Sequence, residues 1–240
     1  RQTADRFAER MIERAREAGR GHRDNPEEFD LLLIGEEKSA ETTQRFAADL
    51  LRIYPTMKIK TITGNDCLKT RRTLFQNKLI GKGTVVLAVS QSGQTFPTLK
   101  ATRDAQKRLE AALASGAPLS VADAERRVRG EIPEGIGNES ISYTEEAVAS
   151  VDLEAARKEG LLKDVFVLTG EWYSKMGKTL GQGFRPDDPF GGRIFCNLSG
   201  RRRSEASTVA MLATDFLLTK ILVHTAERMR QEFPDQNPFN

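Results

Sequence analysis

Short apolar runs alternate with helical patterns along most of the chain, and this alternation restricts the fold more than any other feature. Four of the runs, 29–34, 84–89, 164–168 and 193–198, are largely apolar throughout. Strands without a polar face are typical of parallel sheets that helices cover on both sides. A fifth run, 57–63, alternates polar and apolar residues, which is typical of an edge strand.

The segments between these runs show the three- and four-residue spacing of apolar residues that predicts helices. The predicted helices cover about 7–19, 39–53, 66–79, 95–114 and 204–229. Ser39 is the expected N-cap of the second helix, and Pro55 lies just beyond its end. Strands that alternate with helices indicate right-handed crossovers. We therefore predict a three-layer α/β/α sandwich with a mostly parallel, five-stranded, flavodoxin-like sheet.

The 240 residues are enough for one large domain. Residues 1–28 are expected to form an N-terminal helix and a charged connector, and residues 29–240 the main domain. Residues 116–162 interrupt the alternation with polar and glycine-containing stretches, so we interpret them as an insertion into that domain or a cap on its sheet. The chain begins with Arg1 rather than methionine, and we expect it to be a piece of a longer protein.

Charge and composition exclude several classes of protein. The chain has 37 basic and 34 acidic side chains, a net charge of +3, and its one tight basic run, Arg201 to Arg203, is expected to be a solvated loop. No nucleic-acid partner is therefore expected. We find no apolar run near the roughly 18–20 residues of a membrane span and no secretion signal, which favours a cytoplasmic protein. Cys67 and Cys196 match no metal-ligand spacing, so no metal is expected. No cofactor is expected either.

The segment Ser90-Gln91-Ser92-Gly93-Gln94-Thr95 lies between a predicted buried strand and a predicted helix. A helix start offers unpaired backbone N–H groups and the positive end of the helix dipole. The hydroxyls add neutral donors, and Gly93 permits a close approach of the backbone. This arrangement suits a phosphate group. The alternative is a capped helix start that happens to be rich in small polar residues.

These six residues resemble the S-x-S-G-x-T loop of SIS (sugar isomerase) domains, which bind phosphosugars. Two further segments are similar to motifs of that family. Leu33 to Ser39 resembles the first strand-turn, V-G-x-G-K-S, with Glu37 at the second glycine. Ala206 to Ala210 resembles the A-S-T-K-A of the aminosugar-synthesising members, with Val209 at the lysine. The similarity covers about residues 29–229 and implies an SIS-type fold.

The resemblance also implies a set of ligand-binding residues. By this analogy a phosphate would be held by side chains of the loop, and Ser39 would contact the sugar from across the cleft. The full set implied is Gly35, Lys38, Ser39, Ser90, Gln91, Ser92, Gly93, Thr95 and Ser207. Members of the family form dimers, so a homodimer joined through long helices is expected.

An aldose–ketose isomerase needs a base that moves a proton between adjacent carbons. The candidates are Glu36, Glu37, Glu171, Glu205 and His224. Each is more simply explained otherwise, the glutamates as helix-terminus or surface carboxylates and His224 as a packed or interface histidine. We therefore expect a phosphosugar-binding or regulatory module of a larger protein. A sugar-phosphate isomerase is the alternative, and a domain that serves only oligomerisation is a third reading.

The segment 170–179 ends in Gly-Lys-Thr after a predicted strand, as a phosphate-binding P-loop does. A P-loop has four residues between its two glycines, and here there are six. A nucleoside triphosphatase is therefore not supported. Trp172 and Tyr173 in this segment are expected to be buried rather than to stack on a ligand.

Overall fold

The structure is a computed structural model, and it describes residues 2–19, 25–77, 79–81, 83–113, 162–172, 174–180, 192–197, 206–237 and 239. The secondary-structure elements of these residues are α1 (Gln2–Gly19), β1 (Leu31–Gly35), α2 (Lys38–Ile53), β2 (Ile59–Thr63), α3 (Gly64–Gln76), β3 (Val85–Ser90), α4 (Phe96–Leu113), β4 (Asp164–Thr169), α5 (Lys175–Leu180), β5 (Ile194–Cys196) and α6 (Ala206–Glu232). Residues 116–161 of the predicted insertion lie outside the described residues.

The five strands form one parallel sheet with the order β2-β1-β3-β4-β5. This is the flavodoxin-like order, in which the chain winds outward from β1 in both directions. Gly35 is paired with both Thr63 and Val89, and Ser90 with Thr169, so four strands end at one level. The predicted α/β class, the five-stranded parallel sheet and the edge position of β2 are confirmed.

Side chains of the central strands alternate between two apolar layers because successive residues of a strand point to opposite faces. One layer contains Leu31, Leu33, Val85, Leu87, Val89, Phe166 and Leu168 with residues of α1, α2 and α6. The other contains Leu32, Ile34, Val86, Ala88, Val165 and Val167 with residues of α3, α4 and α5. The sheet is therefore covered by helices on both faces, which explains why its strands lack a polar side.

Helix α1 packs into the apolar core on one face of the sheet. Phe7 is fully buried, and its ring lies edge-on to Phe166 of β4 with a centroid distance of 5.2 Å. Arg14 is 1% exposed and donates hydrogen bonds to Asp30 and Glu28 at 2.7 and 3.0 Å. The first helix and the start of β1 are thus joined by a buried network of charges at the amino edge of the sheet.

Two details differ from the sequence-based expectations. Ser39 was expected to be the N-cap of α2, but the helix already begins at Lys38 and Glu37 occupies the cap position without a side-chain cap bond. The second is α5, a short helix that the sequence pattern did not predict. Trp172 just before it is partly buried against the core, as expected, whereas Tyr173 lies outside the described residues.

Candidate functional site

The carboxyl ends of β1 and β3 mark the point where the strand order reverses. The chain leaves β1 toward α2 on one face of the sheet and leaves β3 toward α4 on the other, so the two loops diverge. Open α/β sheets bind ligands in the crevice that such diverging loops create. Gly35 and Val89 are register partners, so the turn after β1 and the loop after β3 start side by side. Two of the predicted site segments therefore meet here.

Hydroxyl groups of the loop after β3 bond within the loop. The buried Ser90 donates from Oγ to Thr95 Oγ1 at 3.2 Å. The exposed Ser92 accepts the backbone N–H of Gln94 at 3.2 Å. The carbonyl of Thr95 accepts the N–H of Leu99 at 2.9 Å, which starts the hydrogen-bond ladder of α4. The loop is thus folded back on the first turn of α4, where helix N–H groups have no partner within the helix.

Gly93 is required by the contact between this loop and the next one. Its φ is +60°, and a Cβ atom at this position would lie 2.3 Å from Cβ of Ser174 and 2.6 Å from Oγ1 of Thr169. The carbonyl of Gly93 also accepts the N–H of Met176 at 2.9 Å. We expected Gly93 to let the backbone approach a ligand. The close approach in the structure is to the loop after β4.

Two buried polar groups beside the start of α4 have no hydrogen-bond partner among the described residues: Nε2 of Gln91 and the hydroxyl of Thr98, a residue that is fully buried. The backbone of Gln91 is fixed, since its carbonyl accepts the N–H of Gly170 at 2.8 Å. Buried polar atoms nearly always have a partner, and leaving one without costs about 1–3 kcal/mol. Both groups therefore have a hydrogen bond still to form that the described residues do not supply.

The turn after β1 contains the one residue other than glycine with a positive φ in the described part of the chain. Glu37 has φ 48° and ψ −119°, and the N–H of Ser39 donates to the carbonyl of Glu36 at 2.9 Å. These angles are those of the first central position of a type II′ turn, which favours glycine. Gly35 is needed for a different reason, because its Cβ would lie 2.7 Å from the carbonyl oxygen of Ser39.

The neighbours of Glu37 have partners of their own. Glu36 accepts two hydrogen bonds from Asn65 at the start of α3, from the side-chain amide at 3.0 Å and from the backbone N–H at 3.2 Å. Lys38 is exposed and pairs with Glu41 one turn along α2 at 3.0 Å. Ser39 is 7% exposed in the first turn of α2. Its predicted contact with a sugar stays a prediction.

The remaining candidate residues lie elsewhere or outside the described residues. His224 Nε2 is 2.9 Å from Asp5 Oδ1, so this histidine joins α6 to α1. Its neighbour Val223 lines a cavity of about 430 Å³ with Ile53 and Tyr54, at the edge of the sheet opposite the crevice. Glu171 is partly buried after β4, and its carbonyl accepts the N–H of Ser174 at 3.2 Å. Glu205 and the side chain of Ser207 are not among the described atoms.

A cavity of about 490 Å³ lies along the edge strand β2, away from the loop after β3. It is lined by the strand itself and by residues of α2 and α3, among them Lys60, Asp66 and Leu74. In the described parts of the chain, no cluster of histidine, cysteine, aspartate or glutamate could hold a metal ion. Neither Cys67 nor Cys196 forms a disulfide bond.

In comparisons with known proteins, no family model, no curated protein and no solved structure matches this chain. The resemblance to SIS domains therefore rests on the short motifs alone. What the structure adds is the position of those motifs, since the loop 90–95 and the turn after β1 lie on the two sides of one crevice.

Sequence reasoning missed two residues that shape the crevice: Asn65 and Ser174. Asn65 holds the carboxylate of Glu36. Thr169 donates to Ser174 Oγ at 3.1 Å, and together they form the surface on which Gly93 rests. Ser174 could have been found from its position in the loop after a predicted strand. Asn65 had no such signal, because its partner is 29 residues away.

Proposed function

We propose that this chain is a phosphosugar-binding module, in which the loop 90–95 and the start of α4 hold the phosphate of a sugar phosphate. The observation that carries the proposal is the buried amide of Gln91, which lacks a partner among the described residues at the switch point of the sheet. An incoming phosphate supplies the acceptor that this amide lacks. It also meets the N-terminus of α4, where the helix dipole favours negative charge.

The same crevice supports a binding or regulatory role better than catalysis. Isomerisation of a sugar phosphate requires a base that takes a proton from the carbon beside the carbonyl and returns it to the carbonyl carbon. Among the candidates in the described residues, His224 lies away from the crevice and Glu36 is held by Asn65. Glu37 and the partly buried Glu171 are the carboxylates of this set left to act as a base. Isomerase activity is therefore the second hypothesis, and exchange of the substrate proton with solvent tests it.

Binding is tested by thermal unfolding with D-glucose 6-phosphate, D-fructose 6-phosphate, D-glucosamine 6-phosphate, the unphosphorylated sugars and inorganic phosphate. A ligand at 100 times its Kd stabilises the folded state by about 2.7 kcal/mol. For a chain of this size that corresponds to a rise in Tm of about 5–11 °C. We expect the rise with sugar phosphates and not with the unphosphorylated sugars. Equal shifts with both, or none, would contradict the proposal.

Two substitutions locate the phosphate. Gln91→Glu removes the amide donor and adds a negative charge, so it should abolish the thermal shift, whereas Gln236→Glu makes the same change at an exposed position far along the chain and should preserve it. Gln91→Met removes the buried donor altogether. We expect it to keep or raise the Tm of the free protein, because an unpartnered polar group is lost, and to lower sugar-phosphate affinity. A Gln91→Met variant with unchanged affinity would exclude this amide from the site.

Loss of either Ser92 or Thr95 should also weaken binding. Ser92→Ala and Thr95→Ala each remove a hydroxyl that can donate to the phosphate, and each should reduce affinity by about 1–3 kcal/mol. Thr95 directly precedes α4, and its carbonyl accepts the N–H of Leu99, so the Tm of its variant without ligand serves as the control for helix stability. Unchanged affinity in both variants would refute the assignment of this loop.

We also propose that α6 joins two copies of the chain. Four large apolar side chains of α6 are at least half exposed: Val209, Leu212, Phe216 and Val223. Val209, Phe216 and Val223 are spaced seven residues apart, and Leu212 follows Val209 by three. This spacing is typical of the apolar seam of a two-helix coiled coil. Such a seam can meet an identical one about a two-fold axis.

The test is the molar mass in solution. Phe216→Glu places a charge in the middle of the seam and should yield monomers, while Leu51→Glu on α2 should leave a dimer. A monomeric wild-type chain at micromolar concentration would refute this pairing.

The stretch Val209–Glu232 is also long and apolar enough to cross a membrane. Core helices of soluble proteins pass the same criterion, and Leu218 and Ile221 of α6 are buried in the core. The expected absence of a membrane span stays a prediction.

A further inference from the structure

The backbone of Glu37 is held in a conformation that its side chain disfavours. A residue other than glycine lowers the stability of the fold when it is held in such a sparsely populated region. The conformation is imposed from both sides, by Gly35 packing against Ser39 and by the hydrogen bond that closes the turn. Glycine at this position would remove the strain. Strain of this kind is concentrated at functional sites, so the carboxylate of Glu37 is the feature that needs an explanation.

The carboxylate of Glu37 has no hydrogen bond or ion pair within the described residues, and the nearby polar residues of the chain have other partners. Asn65 is engaged by Glu36. The ammonium group of Lys38 is engaged by Glu41. Glu37 is exposed at the start of α2, beside the crevice. It therefore presents an uncompensated negative charge where the sugar end of a bound ligand would lie.

The two helix starts that border the crevice differ in what they offer. At α2 the N–H groups of Ser39 and Ala40 already donate to the carbonyls of Glu36 and Glu37, at 2.9 and 3.0 Å. At α4 the neighbouring Gln91 amide has no acceptor in the described part of the chain. One side of the crevice thus suits an anion, and the other side has a free carboxylate. A ligand that matches both sides is negative at one end and positive at the other.

We propose that Glu37 is a specificity-determining residue that selects sugar phosphates with a protonated amino group. This inference rests on the proposed function, because it assumes that the phosphate binds at the loop 90–95. The ammonium group donates hydrogen bonds to the Glu37 carboxylate, and both partners are charged. Such charge-assisted hydrogen bonds are stronger than those between neutral groups, which is what discriminates an amine from the hydroxyl group of the corresponding neutral sugar.

The experiment compares D-glucosamine 6-phosphate with D-glucose 6-phosphate, which differ only in an amine and a hydroxyl. Their dissociation constants are measured by calorimetry for the wild-type chain, Glu37→Gln and Glu37→Gly. We expect the wild type to prefer the amine about 10- to 100-fold, as a charge-assisted hydrogen bond implies. In both variants the preference should fall to within about threefold of unity, while the affinity for D-glucose 6-phosphate is kept or raised. The control Asp49→Asn removes a carboxylate further along α2 and should retain the preference.

The possible outcomes separate the two proposals. If neither sugar phosphate binds, the proposed function fails. If both bind the wild type equally, or if Glu37→Gln lowers both affinities by one factor, phosphosugar binding stands and the selection by Glu37 is refuted. Glu37→Gly keeps the comparison valid if the glutamine variant folds poorly, since glycine suits the turn. The preference should also disappear as the pH rises above the pKa of the sugar amine, and a preference that persists there would contradict the charge argument.

Discussion

The strained turn after β1 allows a prediction about stability that is independent of any ligand. Glu37 is replaced by glycine in one variant and by alanine in another. Both changes remove the carboxylate, but only glycine removes the Cβ atom that is incompatible with a φ of 48°. The difference in unfolding free energy between the two variants therefore reports the backbone strain and not the lost charge.

Two opposing terms set the size of this difference. A residue with a Cβ atom costs about 1–3 kcal/mol in this region. Glycine lowers the unfolding free energy by about 0.4–1 kcal/mol relative to alanine, because the unfolded chain has more conformational freedom with glycine. The glycine variant should therefore be more stable than the alanine variant by about 1–2 kcal/mol. Relative to wild type the gain should be smaller, because a carboxylate beside a helix N-terminus stabilises it by about 0.3–1 kcal/mol.

Urea denaturation at constant pH gives the unfolding free energy of both variants, and calorimetry gives their Tm. Because each kcal/mol shifts the Tm of a chain of this size by about 2–4 °C, we expect a separation of about 2–8 °C. Equal m-values are required, so that the comparison reports the folded state. An alanine variant that is as stable as the glycine variant, or more stable, would refute the type II′ turn at Glu37.

Three further substitutions test the packing around the sheet. Gly93→Ala should lower stability by about 2–4 kcal/mol and weaken sugar-phosphate binding, because its Cβ would overlap Ser174; wild-type stability would show that the two loops are not in contact. Arg14→Ala leaves Glu28 and Asp30 buried without their cation and should cost about 3–5 kcal/mol, and a loss below about 1 kcal/mol would mean that the network is solvated. Burial raises the pKa of the Tyr54 phenol above its ordinary value of 10.0, so the unfolded chain ionises first and stability falls as the pH rises above that value. Tyr54→Phe should reduce this loss of unfolding free energy at high pH, as measured by urea denaturation at several pH values. An unchanged pH dependence would assign the loss to other groups.

The sheet was predictable because its strands are buried on both faces and therefore have no polar alternation. Runs such as 84–89 and 164–168 could hardly be helices, being short and rich in β-branched residues. The alternating run 57–63 likewise became the edge strand β2. These properties depend on neighbouring residues only, so a single sequence contains them.

Features that depend on contacts between distant residues were not predictable in the same way. Ser39 has the residue type of an N-cap, but the turn that Gly35 and Glu37 form places the N-cap two residues earlier, at Glu37. The pairing of His224 with Asp5 joins residues 219 positions apart. Gly93 was recognised as a necessary glycine, yet its reason, the surface of the next loop, became visible only with the fold.

The spacing between the two sides of the crevice is held by the start of α3. Asn65 binds the carboxylate of Glu36 in the turn after β1, and the adjacent Gly64 lies so close to α4 that its Cβ would be 2.6 Å from the backbone N of Thr98. The turn that contains Glu37 is therefore linked through three residues to the helix start that is proposed to bind phosphate.

This link predicts a change in affinity without a change in selectivity. Glu36→Gln loses the charged acceptor that holds Asn65 and should loosen the spacing of the two sides, so both sugar phosphates should bind more weakly by the same factor. Asn65→Ala breaks the same contact from the other partner and should reproduce the result. Glu37→Gln should do the reverse, changing the ratio of the two affinities. If Glu36→Gln alters that ratio as strongly as Glu37→Gln does, selection arises from the summed charge of the turn, and the individual role of Glu37 is refuted.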